Sequence, residues 1–105
     1  MRIEYNGAYL EYRYGMGEVC EIADIHVPAD FRCQGVGRKL VEELFQRCKR
    51  DNINTVYAVT RADNQIAQQF YEKLQFRVSI LWEFYDPHCR KIDALLYSRT
   101  PKGPV

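Results

Sequence analysis

A chain of 105 residues with 47% apolar, 28% charged and 13% aromatic side chains is long enough to bury one modest core and too short for two. Its net charge of +1, from 15 basic and 14 acidic groups, gives no electrostatic footprint for nucleic acid. No apolar stretch approaches the roughly 18 residues of a membrane span, and Glu4, Tyr5, Asn6, Glu11 and Arg13 interrupt any leader-like segment, so one cytoplasmic domain over residues 1–105, with no membrane or nucleic-acid partner, is expected.

Met1–Tyr5 and Ala8–Tyr14 are β-prone, and Asn6-Gly7 between them is a hairpin signal. Val19–Val27 is apolar on both faces until Pro28, which predicts a central strand that the proline ends or bends outward. Over Gly35–Arg50 the apolar residues Val36, Leu40, Val41, Leu44, Phe45 and Cys48 recur at helical spacing. Asn54–Val59 reads as a strand, so strand, helix and strand imply a right-handed crossover with parallel pairing. A second helix runs from an N-cap at Asp63 or Asn64 to Leu74, with Ile66, Ala67, Phe70, Tyr71 and Leu74 on its apolar stripe. Arg77–Tyr85 and Lys91–Tyr97 form a closing hairpin around Asp86-Pro87-His88, and Thr100–Val105 is a disordered tail. The predicted fold is a mixed α/β (α+β) sheet: an antiparallel N-terminal meander, a strand-helix-strand-helix core and a C-terminal hairpin.

Cys20, Cys33, Cys48 and Cys89 contain no CxxC pair, so neither a metal site nor a disulfide framework is expected, and Cys20 and Cys48 fall on core-patterned positions. Charge is uneven along the chain. Residues 1–30 hold two basic and six acidic groups (−4), and residues 31–105 hold thirteen and eight (+5). Six basic residues gather between Arg32 and Arg50, either as a solvated helix face or as a site for a small anion. The segment Arg32-Cys33-Gln34-Gly35-Val36-Gly37 follows a strand and opens that helix. Glycine lets the backbone approach an anion, and the helix start supplies unpaired N–H groups, so a diphosphate suits this turn. On spacing alone a purely structural turn fits as well.

At this point the chain resembles the GNAT superfamily of N-acetyltransferases. Ile25-His26-Val27 leading to Arg32-x-x-Gly35-x-Gly37 is similar to the family's pyrophosphate turn, and Asn64-x-x-Ala67-x-x-Phe70-Tyr71-x-x-x-x-Phe76 to its second helix. The resemblance implies acetyl-coenzyme A as co-substrate. It places the backbone of Cys33 to Arg38, including Gln34 and Val36, on the pyrophosphate. It places the backbone of Ile25 and Val27 on the pantetheine arm and thioester carbonyl, and Asn64 on the pantetheine arm. Tyr71 becomes the acid beside the coenzyme sulfur, against its alternative as a core aromatic. A phenol can stabilise the departing thiolate by hydrogen bond or proton.

An attacking amine must first lose a proton. Glu21, six positions before Val27, matches the base of several protein-lysine acetyltransferases of the family. Asp24 and His26, which alternate onto the opposite face of a regular strand, compete with it, and a satisfied structural Glu21 is the alternative. Three departures stand out. Gln75 replaces the glycine that usually precedes Phe76, Cys33 lies within the turn, and the chain starts at about the family's hairpin. The last predicts an open acceptor groove, suited to a protein lysine or N-terminus, or a face covered by a homodimer or partner. The expected function is acetyl transfer to an amine by direct attack. A non-catalytic acetyl-coenzyme A module acting through a partner protein, or a nucleotide-phosphate binder, are the alternatives.

Overall fold

Asn6 and Gly7 take positive φ values of 47° and 86°, the backbone of a tight primed turn. They fold β1 (Arg2–Tyr5) back on β2 (Ala8–Gly15) in antiparallel register, Tyr5 opposite Ala8. The computed structural model describes residues 1–32, 34–85, 88 and 91–102, with the backbone alone for 79–85 and 91–92. Cys33, Cys89, most of the predicted turn at Asp86-Pro87-His88 and residues 103–105 lie outside the described residues. β3 (Val19–His26), β4 (Thr55–Arg61), β5 (Arg77–Tyr85) and β6 (Lys91–Arg99) complete a six-stranded sheet of order β1-β2-β3-β4-β6-β5. β3 pairs β4 in parallel and every other neighbour is antiparallel, which is the predicted mixed architecture. β4 and β6 each run two residues past expectation because the pairs Arg61↔Ala94 and Val56↔Arg99 extend their ladder.

The helices α1 (Val36–Arg50) and α2 (Gln65–Lys73) cover one face of the sheet. The predicted stripe of α1 is buried at all six positions, against Leu10, Tyr12, Cys20, Ile22 and Val56. Cys20 and Cys48 are fully buried free thiols. In α2 the stripe is narrower than expected. Ala67, Phe70, Tyr71 and Leu74 sit at i, i+3, i+4 and i+7 and face the core, whereas Ile66 lies one residue, about 100°, off that line and is 83% exposed. Gln75 itself adopts the left-handed conformation, φ 67°. Its N–H donates to the Glu72 carbonyl and that of Phe76 to Tyr71, so the helix ends in a Schellman closure without glycine. Pro101 is buried, so the start of the predicted disordered tail packs against the domain.

The largest correction concerns β3. Glu11 pairs with Asp24, but Tyr12 pairs with Ile22, so Ala23 is an extra residue, a β-bulge. The bulge shifts the side-chain phase by one. Cys20 and Ile22 point to the core before it, and Ile25, opposite the fully buried Leu10, does so after it. Apolar residues at both parities therefore line one face, not two. Glu21, Asp24 and His26 consequently share the opposite face, opposite Arg13, Glu11 and Tyr9 respectively, contrary to the regular alternation expected from sequence. Among the described residues no helix covers that face.

Candidate active site

The parallel ladder between β3 and β4 holds only Val19–Glu21 against Thr55–Tyr57. Beyond it β3 stays with β2 as far as His26↔Tyr9, while β4 stays with β6 as far as Arg61↔Ala94. The two middle strands therefore come apart into a wedge that opens just where the bulge at Ala23 bends β3. Backbone groups along its two inner edges have no ladder partner, and buried backbone groups need one. Thr60, on β4 inside the divergent stretch, is 7% exposed and its Oγ1 has no hydrogen-bond partner. An elongated ligand carrying amides would satisfy both.

The first turn of α1 sits at the mouth of this wedge. A Cβ on Gly37 would lie 2.8 Å from Phe70 Cε1 and 3.7 Å from Val27 Cγ2, so Gly37 is where α1 closes on α2 and on the end of β3. Gly35 plays a different part. It caps the helix in the left-handed region, φ 78°, with open space where a side chain would be, so the backbone is approachable from outside. The Lys39 N–H already bonds the Gly35 carbonyl at 3.0 Å. The N–H groups of Val36, Gly37 and Arg38 come before any intrahelical bond and carry the positive end of the helix dipole, undiminished by any acid in the first turn. Arg32 Nε donates to the Val27 carbonyl at 3.1 Å and Gln34 Nε2 to the Asp30 carbonyl at 2.8 Å. These bonds tie the turn to the end of β3 and to the short 3-10 helix Ala29–Phe31, an element not expected from sequence.

Tyr71 is 4% exposed, its ring set against Phe70, Phe76 and Tyr97. Its hydroxyl makes no hydrogen bond among the described residues. Burial first, and then the charge of Asp24, push its pKa up to about 12. Tyr71 rises from the helix-covered face and Asp24 lies on the other. Asn64 is the N-cap of α2: its Oδ1 accepts from the Ala67 N–H at 3.1 Å, which commits that oxygen to the helix.

Glu21 lies at the closed end. Arg13 approaches its Oε1 with Nε at 2.7 Å, and the Tyr57 hydroxyl donates to Oε2 at 3.1 Å. Burial and this bond raise the Tyr57 pKa, and the ion pair raises that of Arg13. Asp24 lies two residues into the open half, exposed, with Oδ2 accepting from Tyr9 at 2.9 Å. The phase shift that brings Asp24 to this face was present in the apolar positions 20, 22, 25 and 27. Thr60 and Tyr57 had no comparable signal.

The sequence profile of the Acetyltransferase (GNAT) family matches residues 3–76. The chain belongs to that family. The [ribosomal protein bS18]-alanine N-acetyltransferase of Escherichia coli K12 is 33% identical over 64 residues, 61% of this chain and 43% of that relative. The chain thus spans less than half of the curated relative it matches. The crystal structure of the ribosomal-protein-S18-alanine N-acetyltransferase from Escherichia coli superposes with a TM-score of 0.75 at 25% identity, over 92% of this chain and 64% of that one. A GNAT family acetyltransferase from Elizabethkingia anophelis, crystallised with acetyl-CoA bound, shares the fold at a TM-score of 0.75 and 18% identity, over 92% of this chain and 72% of that one.

Proposed function

We propose that this GNAT domain binds acetyl-coenzyme A along the β3–β4 wedge and transfers the acetyl group to an amine, a protein N-terminus or lysine, by direct attack within a ternary complex. The observation that carries this reading is Tyr71: a buried ring whose hydroxyl makes no hydrogen bond among the described residues, on the helix that packs over the parted strands. The bound thioester supplies the activated acyl group. The N–H groups of Val36 to Arg38 at the start of α1, with those of Gln34 and Gly35 in the turn before it, hold the pyrophosphate. Arg32 supports them from the Val27 carbonyl. The free edge of β3 at Ile25, and the backbone just beyond its end at Val27, bond the amides of the pantetheine arm, with Asn64 and Thr60 across the wedge.

Tyr71 keeps its proton at neutral pH because its pKa stands near 12. A thiol, with pKa near 8.5, is the stronger acid, so Tyr71 serves the departing sulfur chiefly as a hydrogen-bond donor that disperses its charge. The sulfur's own proton is made good from the attacking nitrogen. Glu21 fits the base position of the family motif, but Arg13 and Tyr57 engage both its oxygens, which favours its structural reading.

Calorimetric titration with acetyl-coenzyme A, coenzyme A and ATP tests the donor site. Acetyl-coenzyme A should bind, ATP should not compete with it as well as coenzyme A does, and Arg38→Glu should weaken binding at least about tenfold. That substitution suits a helix N-terminus, so it repels the diphosphate without harming the fold. Absence of binding at millimolar acetyl-coenzyme A would sink the reading.

A further inference from the structure

Four carboxylates stand on the helix-free face of β1–β3. Glu4 and Glu11 both pair with Arg2, and Glu21 pairs with Arg13. Asp24 is the exception: among the described residues it makes no ion pair, and its one bond is the neutral hydroxyl of Tyr9. A carboxylate left without a cation among three neutralised ones is the natural seat for a cation from outside. The bulge at Ala23 carries it past the last β3–β4 pair, so it stands at the wedge and not over the closed sheet. Tyr9 is fixed in turn, with the Arg2 guanidinium 4.1 Å over its ring and the His26 ring 5.5 Å away. One Asp24 oxygen is therefore anchored, and the other is open.

We infer that Asp24 is the residue that seats the acceptor's ammonium group and takes its proton. This rests on the acetyl-transfer reading above and adds the acceptor side to it. In the step, the amine nitrogen bonds to the acetyl carbon as the carbon–sulfur bond breaks. Of the three ammonium protons, one passes to Asp24 and on to solvent. A second leaves with the sulfur, and the third stays on the amide. Glu21 does not share this role, since its oxygens serve Arg13 and Tyr57.

Thiol release from acetyl-coenzyme A decides the matter with three probes at pH 7. They are a hexapeptide with a free N-terminal alanine, a lysine peptide blocked at both ends, and hydroxylamine, a nucleophile that is largely uncharged at this pH. Asp24→Asn keeps the Tyr9 hydrogen bond and removes only the charge. It should lower kcat/KM for the accepted peptide at least about 100-fold, leave the acetyl-coenzyme A Kd within about twofold, and reduce hydroxylamine turnover by less than about tenfold. An equal loss with hydroxylamine and peptide overturns the inference, and so does a larger peptide loss in Glu21→Gln than in Asp24→Asn. A wild-type protein that binds acetyl-coenzyme A but acetylates neither peptide overturns the inference alone. One that binds no acetyl-coenzyme A overturns the underlying reading as well.

Discussion

Over Val19–Glu21 the strand β3 is hydrogen-bonded along both edges, to β2 and to β4; over Ile22–His26 it keeps β2 alone. The closed half packs fully buried Cys20 and Val56 side by side beneath an ion pair, Glu21 with Arg13. The open half holds three groups whose hydrogen bonding is incomplete among the described residues: the Tyr71 hydroxyl, the Thr60 hydroxyl and one oxygen of Asp24; in the closed half the buried Arg99 Nε, opposite Val56, is also without a partner. Stability and reactivity are thus divided along a single strand, and one inserted residue marks the border.

That division can be broken from either side. The largest expected effect is on turnover: Tyr71→Phe should lower kcat about 10²–10⁴-fold while the acetyl-coenzyme A Kd moves little, as steady-state kinetics beside calorimetry would show. Loss of binding and turnover together would instead make Tyr71 a packing residue. The same side chain predicts an alkaline signature. Its folded pKa lies near 12, above the ordinary value of 10, so the folded state holds a proton the unfolded chain has lost. Its contribution is fully present below pH 10 and disappears as pH rises toward 12. That part, on the order of 2–3 kcal/mol, should be missing from the urea-unfolding pH profile of Tyr71→Phe.

In the closed half, Val56→Ala should cost on the order of 2 kcal/mol in chemical denaturation, with ligand affinity unchanged at temperatures where the variant is folded. At the mouth of the open half, Gly37→Ala drives a methyl into Phe70 and should cost about 1–3 kcal/mol, part of which Phe70→Leu recovers. The smallest effect lies away from both halves: Gln75→Gly removes a left-handed non-glycine residue and should add about 1 kcal/mol.

Local signals carried most of the architecture. The Asn6-Gly7 turn, the helical spacing of Val36 to Cys48 and the cap at Asn64 are short-range, and each matches its element. The two family motifs likewise pointed to Gly35, Gly37 and Tyr71 as candidate site residues. What they could not carry is register. The wedge exists because β3 and β4 stop pairing after Glu21↔Tyr57, a fact about residues 36 positions apart. The regular alternation that set Asp24 opposite Glu21 failed at Ala23, where pairing to β2 slips by one. Gly37 was legible as a glycine the turn needs, but its closest neighbour, Phe70, comes from the other helix, and so its packing duty was invisible in the motif.

The parted strands have a consequence for handling the protein. Two inward-facing sheet edges are a template that another extended chain can join, and edges of this kind invite association between copies. Amides of Ile22–His26 and Ala58–Arg61 that face the gap should exchange with deuterium faster than those of Val19–Glu21, and slow once ligand fills it. Purification with coenzyme A present should accordingly suppress aggregation, by occupying a vacant strand position.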